Sequence, residues 1–199
     1  NDVDGELVNL FRMTKQHPEA LEREIALNLY SREEFWRQQK SSPEVLTEIQ
    51  RAARMYYLIK TSFGADIRSF GCTPGKDVSV IKNLTDVHQR IKKVLIECKS
   101  YEKLIPAQDG PGTLFYLDPP YRGTEKCYST SQSWTDEEHI KLRDLLGTVN
   151  GKWILSYNDD NFIRDLYAGR NIEHLERSNK NGPQDGKTGR FPELILTNY

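Results

Sequence analysis

Cysteine is scarce in this sequence, and its three copies stand far apart. Cys72, Cys98 and Cys127 lack the paired spacing of disulfide scaffolds and zinc ribbons, so we expect no bound metal and a reducing cytosol. No apolar run approaches the roughly 18 residues that a membrane span needs, and we find no signal-peptide pattern among the first residues. These absences favour a cytoplasmic protein, and 199 residues suffice for a domain with a real core.

The net charge of −1 hides an uneven distribution of charge along the chain. Residues 1–30 carry a net charge of −3, residues 31–99 carry +5, and residues 100–199 carry −3. A basic segment between acidic flanks can mark a surface that faces a polyanion. Helical surfaces are also commonly rich in lysine and arginine, so composition alone leaves both interpretations open.

Apolar residues recur at helical spacing through the first half of the chain. Helices are predicted within residues 1–30 and over 32–40, 43–62 and 84–91. Ser42-Pro43 is the predicted N-cap and first turn of the 43–62 helix. Glycine and proline interrupt the stretch between these helices and predict an irregular hairpin, with strands at 67–70 and 78–81, and a further strand follows at 94–96.

Strands and helices alternate in the second half of the chain. Residues 113–117 form a continuous apolar run that ends at Asp118, as a buried parallel strand would. A capping box at 135–138 opens one predicted helix, and a second lies around 162–166. Further strands are predicted at 153–157, 172–176 and 194–198. The pattern predicts an α/β fold into which the mostly helical segment 31–95 is inserted.

The tetrapeptide Asp118-Pro119-Pro120-Tyr121 directly follows the predicted strand 113–117. Ligands of open α/β sheets bind beyond the carboxyl ends of the strands. Two prolines make the turn rigid and donate no N–H, so its carbonyl oxygens stay available as acceptors. With the carboxylate and the aromatic ring, the turn suits a planar group that bears an NH₂. The alternative is an ordinary Asp-Pro turn that ends a strand.

Residues 114–121 (LFYLDPPY) resemble the catalytic motif of the Dam-type N6-adenine DNA methyltransferases, known as the D12 class. Residues 1–10, 57–70, 153–158 and 193–198 are similar to other segments of that family. The resemblance implies a Rossmann-like methyltransferase sheet that uses S-adenosylmethionine, formed by residues 1–30 and 96–199. Residues 31–95 would then be the inserted target-recognition domain that binds DNA.

The resemblance also implies roles for the motif residues. Asp118 and the carbonyl of Pro119 would accept hydrogen bonds from the exocyclic amine of a flipped adenine, which compensates the charge that develops during transfer. Pro120 completes the rigid turn, and Tyr121 would stack on the flipped base. Asp118 would also adjoin the methionine part of S-adenosylmethionine.

Further cofactor contacts follow from the same resemblance. Asp2 matches the acidic residue that holds the ribose hydroxyls of S-adenosylmethionine, a use shared with dinucleotide folds. Read without the family, Asp2 is equally an acid favoured at a helix N-terminus. Ser100 and Tyr101 fall where the family approaches the adenine of the cofactor.

The basic insertion contains the residues that we expect to contact double-stranded DNA. The candidates for phosphate contacts are Arg51, Arg54, Lys60, Arg68, Lys76 and Lys82. Arg68 could instead read a guanine, and each of the six, taken singly, is more simply explained as a solvated surface charge.

Two other functions compete with site-specific DNA adenine methylation. One is a catalytically silent DNA-binding module, and the other is a related methyltransferase that acts on RNA or on a protein amide. The intact Asp-Pro-Pro-Tyr motif opposes the first, and the basic insertion favours DNA over the second. The resemblance further implies a monomer in the cytoplasm of a bacterial or phage-infected cell.

The sequence departs from the family at its start. Members carry a Phe-x-Gly-x-Gly turn that cradles the methionine end of the cofactor, and no such sequence occurs in this chain. The order of the other motifs places that segment before Asn1, where the chain begins without Met. We therefore expect this 199-residue chain alone to bind S-adenosylmethionine weakly and to transfer methyl poorly or not at all. Tight cofactor binding by calorimetry would contradict this.

Overall fold

A computed structural model describes residues 1–73, 75, 77, 78, 84–123, 134–178 and 190–199. The chain divides into two compact units, Asn1–Lys99 and Ser100–Tyr199. Within the described residues, no helix combines the length and the apolar character that crossing a bilayer requires. The assignment of residues 1–30 and 96–199 to one domain, with 31–95 inserted, is a different division and stays a prediction.

Helices make up the described secondary structure of the first unit. They are α1 (Gly5–Gln16), α2 (Pro18–Ala26), α3 (Arg32–Lys40), α4 (Glu48–Thr61) and α5 (Leu84–Ile91), with short 3-10 turns at Pro43–Val45 and Phe63–Ala65. The predicted helices over 32–40 and 84–91 are confirmed. The predicted 43–62 helix is wrong in its first turn, because the side chains of Thr47 and Gln50 form a capping box that starts α4 five residues later.

Helix α4 supplies the centre of the first unit's core. Its residues Ala52 and Ala53 are buried in a cluster with Met13 and Leu21, contributed by α1 and α2. A second cluster on α4 is built around Tyr57, whose hydroxyl donates to the carbonyl of Leu29 at 2.9 Å. Helix α4 therefore packs against α1, α2 and α3 through apolar burial and one buried hydroxyl.

The strands predicted in the first unit are wrong where the structure describes them. Residues 67–70 form a tight loop that returns to α4 through one bridge, between Ser62 and Phe70. A Cβ on Gly71 would lie 3.1 Å from the carbonyl oxygen of Ser62, so the close return leaves little room for a side chain. Residues 94–96 are not a strand either; the nearby bridge joins Asp2 to Cys98. Most of the predicted strand 78–81 lies outside the described residues.

The second unit is a mixed sheet with helices. Its strands are β1 (Leu114–Leu117), β2 (Lys152–Asn158), β3 (Asn171–Ser178) and β4 (Arg190–Thr197), and its helices are α6 (Tyr101–Gln108), α7 (Asp136–Gly147) and α8 (Asn161–Leu166). The sheet order is β1-β2-β4-β3. Strands β1 and β2 are parallel, whereas β4 runs antiparallel to both of its neighbours. The predicted α/β character is confirmed, and α6 is an element that sequence patterns missed.

Alternate residues of β2 form the core of the second unit. Trp153, Leu155 and Tyr157 are buried together, and the Trp153 indole N–H donates to the Leu146 carbonyl at 3.2 Å. The hydroxyl of Tyr157 lies 2.8 Å from Nδ1 of buried His139. Burial raises the pKa of Tyr157 well above its usual range, so this hydroxyl keeps its proton.

A carboxylate joins the end of α6 to the start of β2. Asp109 accepts the backbone N–H groups of Asn150 and Gly151, and these hydrogen bonds hold the pKa of Asp109 below its usual value. Gly151 lies against backbone on its other side: a Cβ there would be 2.7 Å from the Thr113 carbonyl oxygen and 2.9 Å from that of Gly110. The junction between these two segments therefore has no room for a side chain.

We expect Gly151→Ala to lower the free energy of unfolding by about 1–3 kcal/mol, the usual cost of overpacking, because its neighbours are backbone carbonyls that cannot turn away. Gly112→Ala is the control, since a Cβ there would meet no atom within 4 Å. Urea unfolding of both variants checks this, and equal effects would contradict it.

We expect Tyr157→Phe to destabilise the protein by roughly 1–3 kcal/mol, because it removes a hydroxyl from a buried hydrogen bond with His139. Tyr116→Phe is the matched control, because Tyr116 is exposed on β1. Thermal or urea unfolding measures both changes. A loss in Tyr116→Phe as large as that in Tyr157→Phe would refute the assignment.

Candidate active site

The motif turn, residues 118–121, begins directly after β1, as the sequence predicted. Asp118 is exposed, Pro119 is buried, and both Pro120 and Tyr121 are half-buried. The prolines therefore anchor the turn while the carboxylate stays accessible to a ligand. Since β1 and β2 are parallel, the turn lies at the edge where both strands end.

A serine on the neighbouring strand orients the carboxylate of the motif. Leu117 pairs with Leu155 of β2, and the next residue, Ser156, is buried with its Oγ 2.8 Å from Oδ1 of Asp118. The same hydroxyl lies 3.3 Å from the Leu117 carbonyl oxygen. Sequence reasoning missed Ser156. The signal was present, because two parallel strands that follow one another along the chain end at the same edge.

Asn158 and Arg122 hold the other end of the motif turn. The Asn158 amide Nδ2 donates to the Arg122 carbonyl at 3.0 Å. The Arg122 guanidinium donates to both carboxylate oxygens of Asp136, from Nε at 2.8 Å and from Nη2 at 3.1 Å. Its Nη1 lies 3.2 Å from Oδ2 of Asp160, and the group covers the Phe162 ring at 4.8 Å.

The ion pair between Arg122 and Asp136 shifts the pKa values of both groups. The hydrogen bonds with Asp136, followed by the charge of Asp160, raise the pKa of Arg122. The same bond to Arg122 lowers the pKa of Asp136 below its usual value. One guanidinium is therefore shared between the carboxylates of Asp136 and Asp160.

A row of aromatic rings packs behind the motif turn. Tyr121 lies 6.2 Å from Tyr157, which lies 5.4 Å from His139 between ring centroids. Trp134 is 5.4 Å from His139 and 5.5 Å from Tyr101. The structure thus joins the predicted base-stacking residue and a predicted cofactor residue through one row. His139 has no apparent role in the sequence, yet it is buried at the centre of this row.

The residues predicted to hold the cofactor lie in both units. Ser100 is the N-cap of α6, where its side chain makes no capping hydrogen bond, and Tyr101 is the first residue of that helix. The Tyr101 hydroxyl donates to Glu138 at 3.3 Å, and burial, followed by the charge of Glu138, raises the pKa of Tyr101. Asp2, in the first unit, accepts the Asp4 N–H at 2.8 Å.

Two of the arginines predicted to contact DNA have intramolecular partners in the first unit. Arg51 forms an ion pair with Glu6. Arg54 donates to the carbonyls of Gln38, at 2.6 Å, and Gln39, at 3.2 Å, near the end of α3. Burial lowers the pKa of Arg54 from its usual value. Both side chains hold helices together in this conformation.

The other predicted DNA contacts differ in what the structure describes of them. Lys60 and Arg68 are exposed on the first unit. Lys76 and Lys82 lie outside the described residues. Across the described parts of both units, no group of three His, Cys, Asp or Glu side chains gathers as a metal site would require.

Known proteins resemble the chain over nearly its whole length. The family model of D12 class N6 adenine-specific DNA methyltransferases matches residues 1–181. The type II methyltransferase M1.LlaDCHI of Lactococcus lactis subsp. cremoris is 27% identical, covering 100% of this chain and 78% of that relative. The type II methyltransferase M.CviBI of Paramecium bursaria Chlorella virus NC1A is 24% identical, covering 100% and 80%.

A third relative comes from a different genetic setting. The retron Ec67 DNA adenine methylase of Escherichia coli is 21% identical and covers 98% of this chain and 73% of its own length. The family match includes the motif turn, which the structure places at the carboxyl end of β1. The chain belongs to the D12 class of N6 adenine-specific DNA methyltransferases.

Proposed function

We propose that the motif turn carries out the family's reaction, the transfer of a methyl group from S-adenosylmethionine to the exocyclic amine of a flipped adenine in duplex DNA. The observation that carries this proposal is the exposed carboxylate of Asp118 at the end of β1, held by the Ser156 hydroxyl at 2.8 Å. A carboxylate fixed in this way can accept a hydrogen bond from an amine without first having to reorganise.

The two acceptors of the turn act on the nucleophile. The amine nitrogen of adenine is a weak nucleophile because its lone pair is delocalised into the ring. Asp118 and the Pro119 carbonyl accept its two hydrogens and oppose the positive charge that develops on nitrogen as the new bond forms. Tyr121 stacks on the flipped base and so offsets part of the energy that is needed to remove the base from the DNA stack. The row of rings behind Tyr121 keeps this face in place.

The chemistry of the donor set fits S-adenosylmethionine. In the second unit, Asp118 would offer a carboxylate to the cationic methionine end, and Ser100 and the ring of Tyr101 would border its adenine. In the first unit, the contact of Asp2 with the ribose hydroxyls stays a prediction from the family. When bound, S-adenosylmethionine supplies the electrophilic methyl group. The residues of this chain then contribute alignment, which accounts for a large part of the barrier in transfers of this kind.

The finer architecture is also part of the proposal. We place the four-stranded sheet within a Rossmann-like methyltransferase sheet, because its parallel pair β1 and β2 carries the site at its carboxyl edge. Residues 31–95 form the inserted DNA-recognition domain. The protein acts as a monomer in the cytoplasm of a bacterial or phage-infected cell.

Exposure separates the proposed DNA contacts into two groups. Lys60 and Arg68 are exposed, so they can reach phosphates without breaking the core. Arg51 and Arg54 would have to leave the partners that they have in this conformation. Lys76 and Lys82 stay predictions from their place in the basic segment.

We expect Asp118→Ala to lower methyl transfer to unmethylated duplex DNA by at least about 100-fold, because the amine loses its charged acceptor. Asp165→Ala is the matched control, since Asp165 is an exposed aspartate on α8. The assay uses the full-length methyltransferase and follows labelled methyl from S-adenosylmethionine into duplex DNA, with RNA and protein as parallel acceptors. Unchanged transfer in Asp118→Ala would refute the mechanism, and preference for RNA or protein would refute the substrate.

A further inference from the structure

We propose that Arg122 is a positioning residue that fixes the carboxyl end of the catalytic turn, an inference that rests on the proposed function. The turn has two anchors, one at each end. Before the turn, β1 is held in the sheet by β2, and Ser156 holds Asp118. After the turn, Arg122 is held through both its carbonyl and its guanidinium.

The groups that hold Arg122 are themselves fixed by two helices. Asp136 is the first residue of α7, and Asp160 is the N-cap of α8. Oδ1 of Asp160 accepts the Phe162 N–H at 2.9 Å, while its Oδ2 receives Arg122. Acidic groups are favoured at helix N-termini, so both carboxylates are held where the guanidinium needs them.

The planar guanidinium suits this task better than an ammonium would. Nε and Nη2 form a two-point contact with Asp136, Nη1 reaches Asp160, and the flat face covers Phe162. A lysine would keep the charge, but it could not reproduce the fork or the stacked face. The position after the motif therefore requires arginine, and not merely a positive charge.

A direct contact between Arg122 and a DNA phosphate is the competing explanation. Two carboxylates surround the single positive charge, so the cluster carries a net charge of −1 and repels phosphate. Three nitrogens of the guanidinium already donate to these carboxylates. The described contacts therefore favour an internal anchor.

The test compares Arg122→Ala and Arg122→Lys with Arg164→Ala in the full-length methyltransferase. Arg164 makes a similar two-point pair with Asp159, at 2.6 and 2.5 Å, in the same unit. We expect both Arg122 variants to lower kcat by about 10- to 100-fold. A displacement of the reacting groups by about 1 Å can lower the rate by about 100-fold. The KM values for DNA and S-adenosylmethionine should change less than about threefold, and Arg164→Ala should keep the wild-type kcat.

A second comparison separates positioning from loss of stability. Asp136→Ala removes the two-point partner of Arg122, so it should also lower kcat. In the double variant, kcat should fall no further than in the Arg122 single variant. The unfolding midpoints of Arg122→Ala and Arg164→Ala should fall by similar amounts. Only the Arg122 variant should then lose kcat.

Three results would overturn the inference. One is a kcat within threefold of wild type in Arg122→Ala. Another is a salt-dependent rise in KM for DNA with kcat unchanged, which would identify Arg122 as a phosphate contact. The third is an equal loss of kcat in Arg164→Ala, which would show that the loss in Arg122→Ala comes from lower stability and not from positioning. A wild-type protein that transfers no methyl to DNA would instead refute the proposed function and the inference together.

Discussion

The parallel pairing of β1 with β2 is the constraint on which the candidate site depends. It brings the ends of both strands to one edge, so residues far apart in sequence become neighbours of the motif turn. Ser156 and Asn158 lie two residues apart on β2 and face the same side of the sheet, one reaching Asp118 and the other reaching the backbone of Arg122. The alternate residues of β2 fill the core, so a single strand both stabilises the unit and shapes its site.

Aspartate carboxylates lie at the N-termini of helices in both units. Asp4 begins α1, and Asp160 begins α8, where each accepts backbone N–H groups that the helix cannot satisfy internally. Asp136 occupies the first turn of α7 without capping it. In the second unit, Asp136 and Asp160 also form ion pairs with Arg122. The same carboxylates therefore lie at helix N-termini and hold the residue that follows the motif turn.

Local patterns predicted the two strands beside the motif turn better than they predicted the elements around them. The strand before Asp118 and the strand at 152–158 followed from apolar runs. The predicted burial holds for β2 but is wrong for much of β1, because β1 is the edge strand of the described sheet and Leu114 and Tyr116 are exposed. Helix α6 was missed because Pro106 lies inside it. The predicted helix after Thr135 is present, but the predicted capping box is wrong, because the Thr135 side chain makes no capping hydrogen bond. The partners of Arg51 and Arg54 depend on packing between helices, which no local pattern contains.

Ser156 has one hydroxyl proton and two acceptors within reach, Oδ1 of Asp118 at 2.8 Å and the Leu117 carbonyl oxygen at 3.3 Å. A buried hydroxyl with a second acceptor need not lose its hydrogen bond when the first acceptor takes another donor. A carboxylate can accept several hydrogen bonds, so Asp118 can accept the amine of a base while the Ser156 hydroxyl still holds it. With two acceptors within reach, the Ser156 hydroxyl need not be left unpaired at this point of the sheet when a base binds.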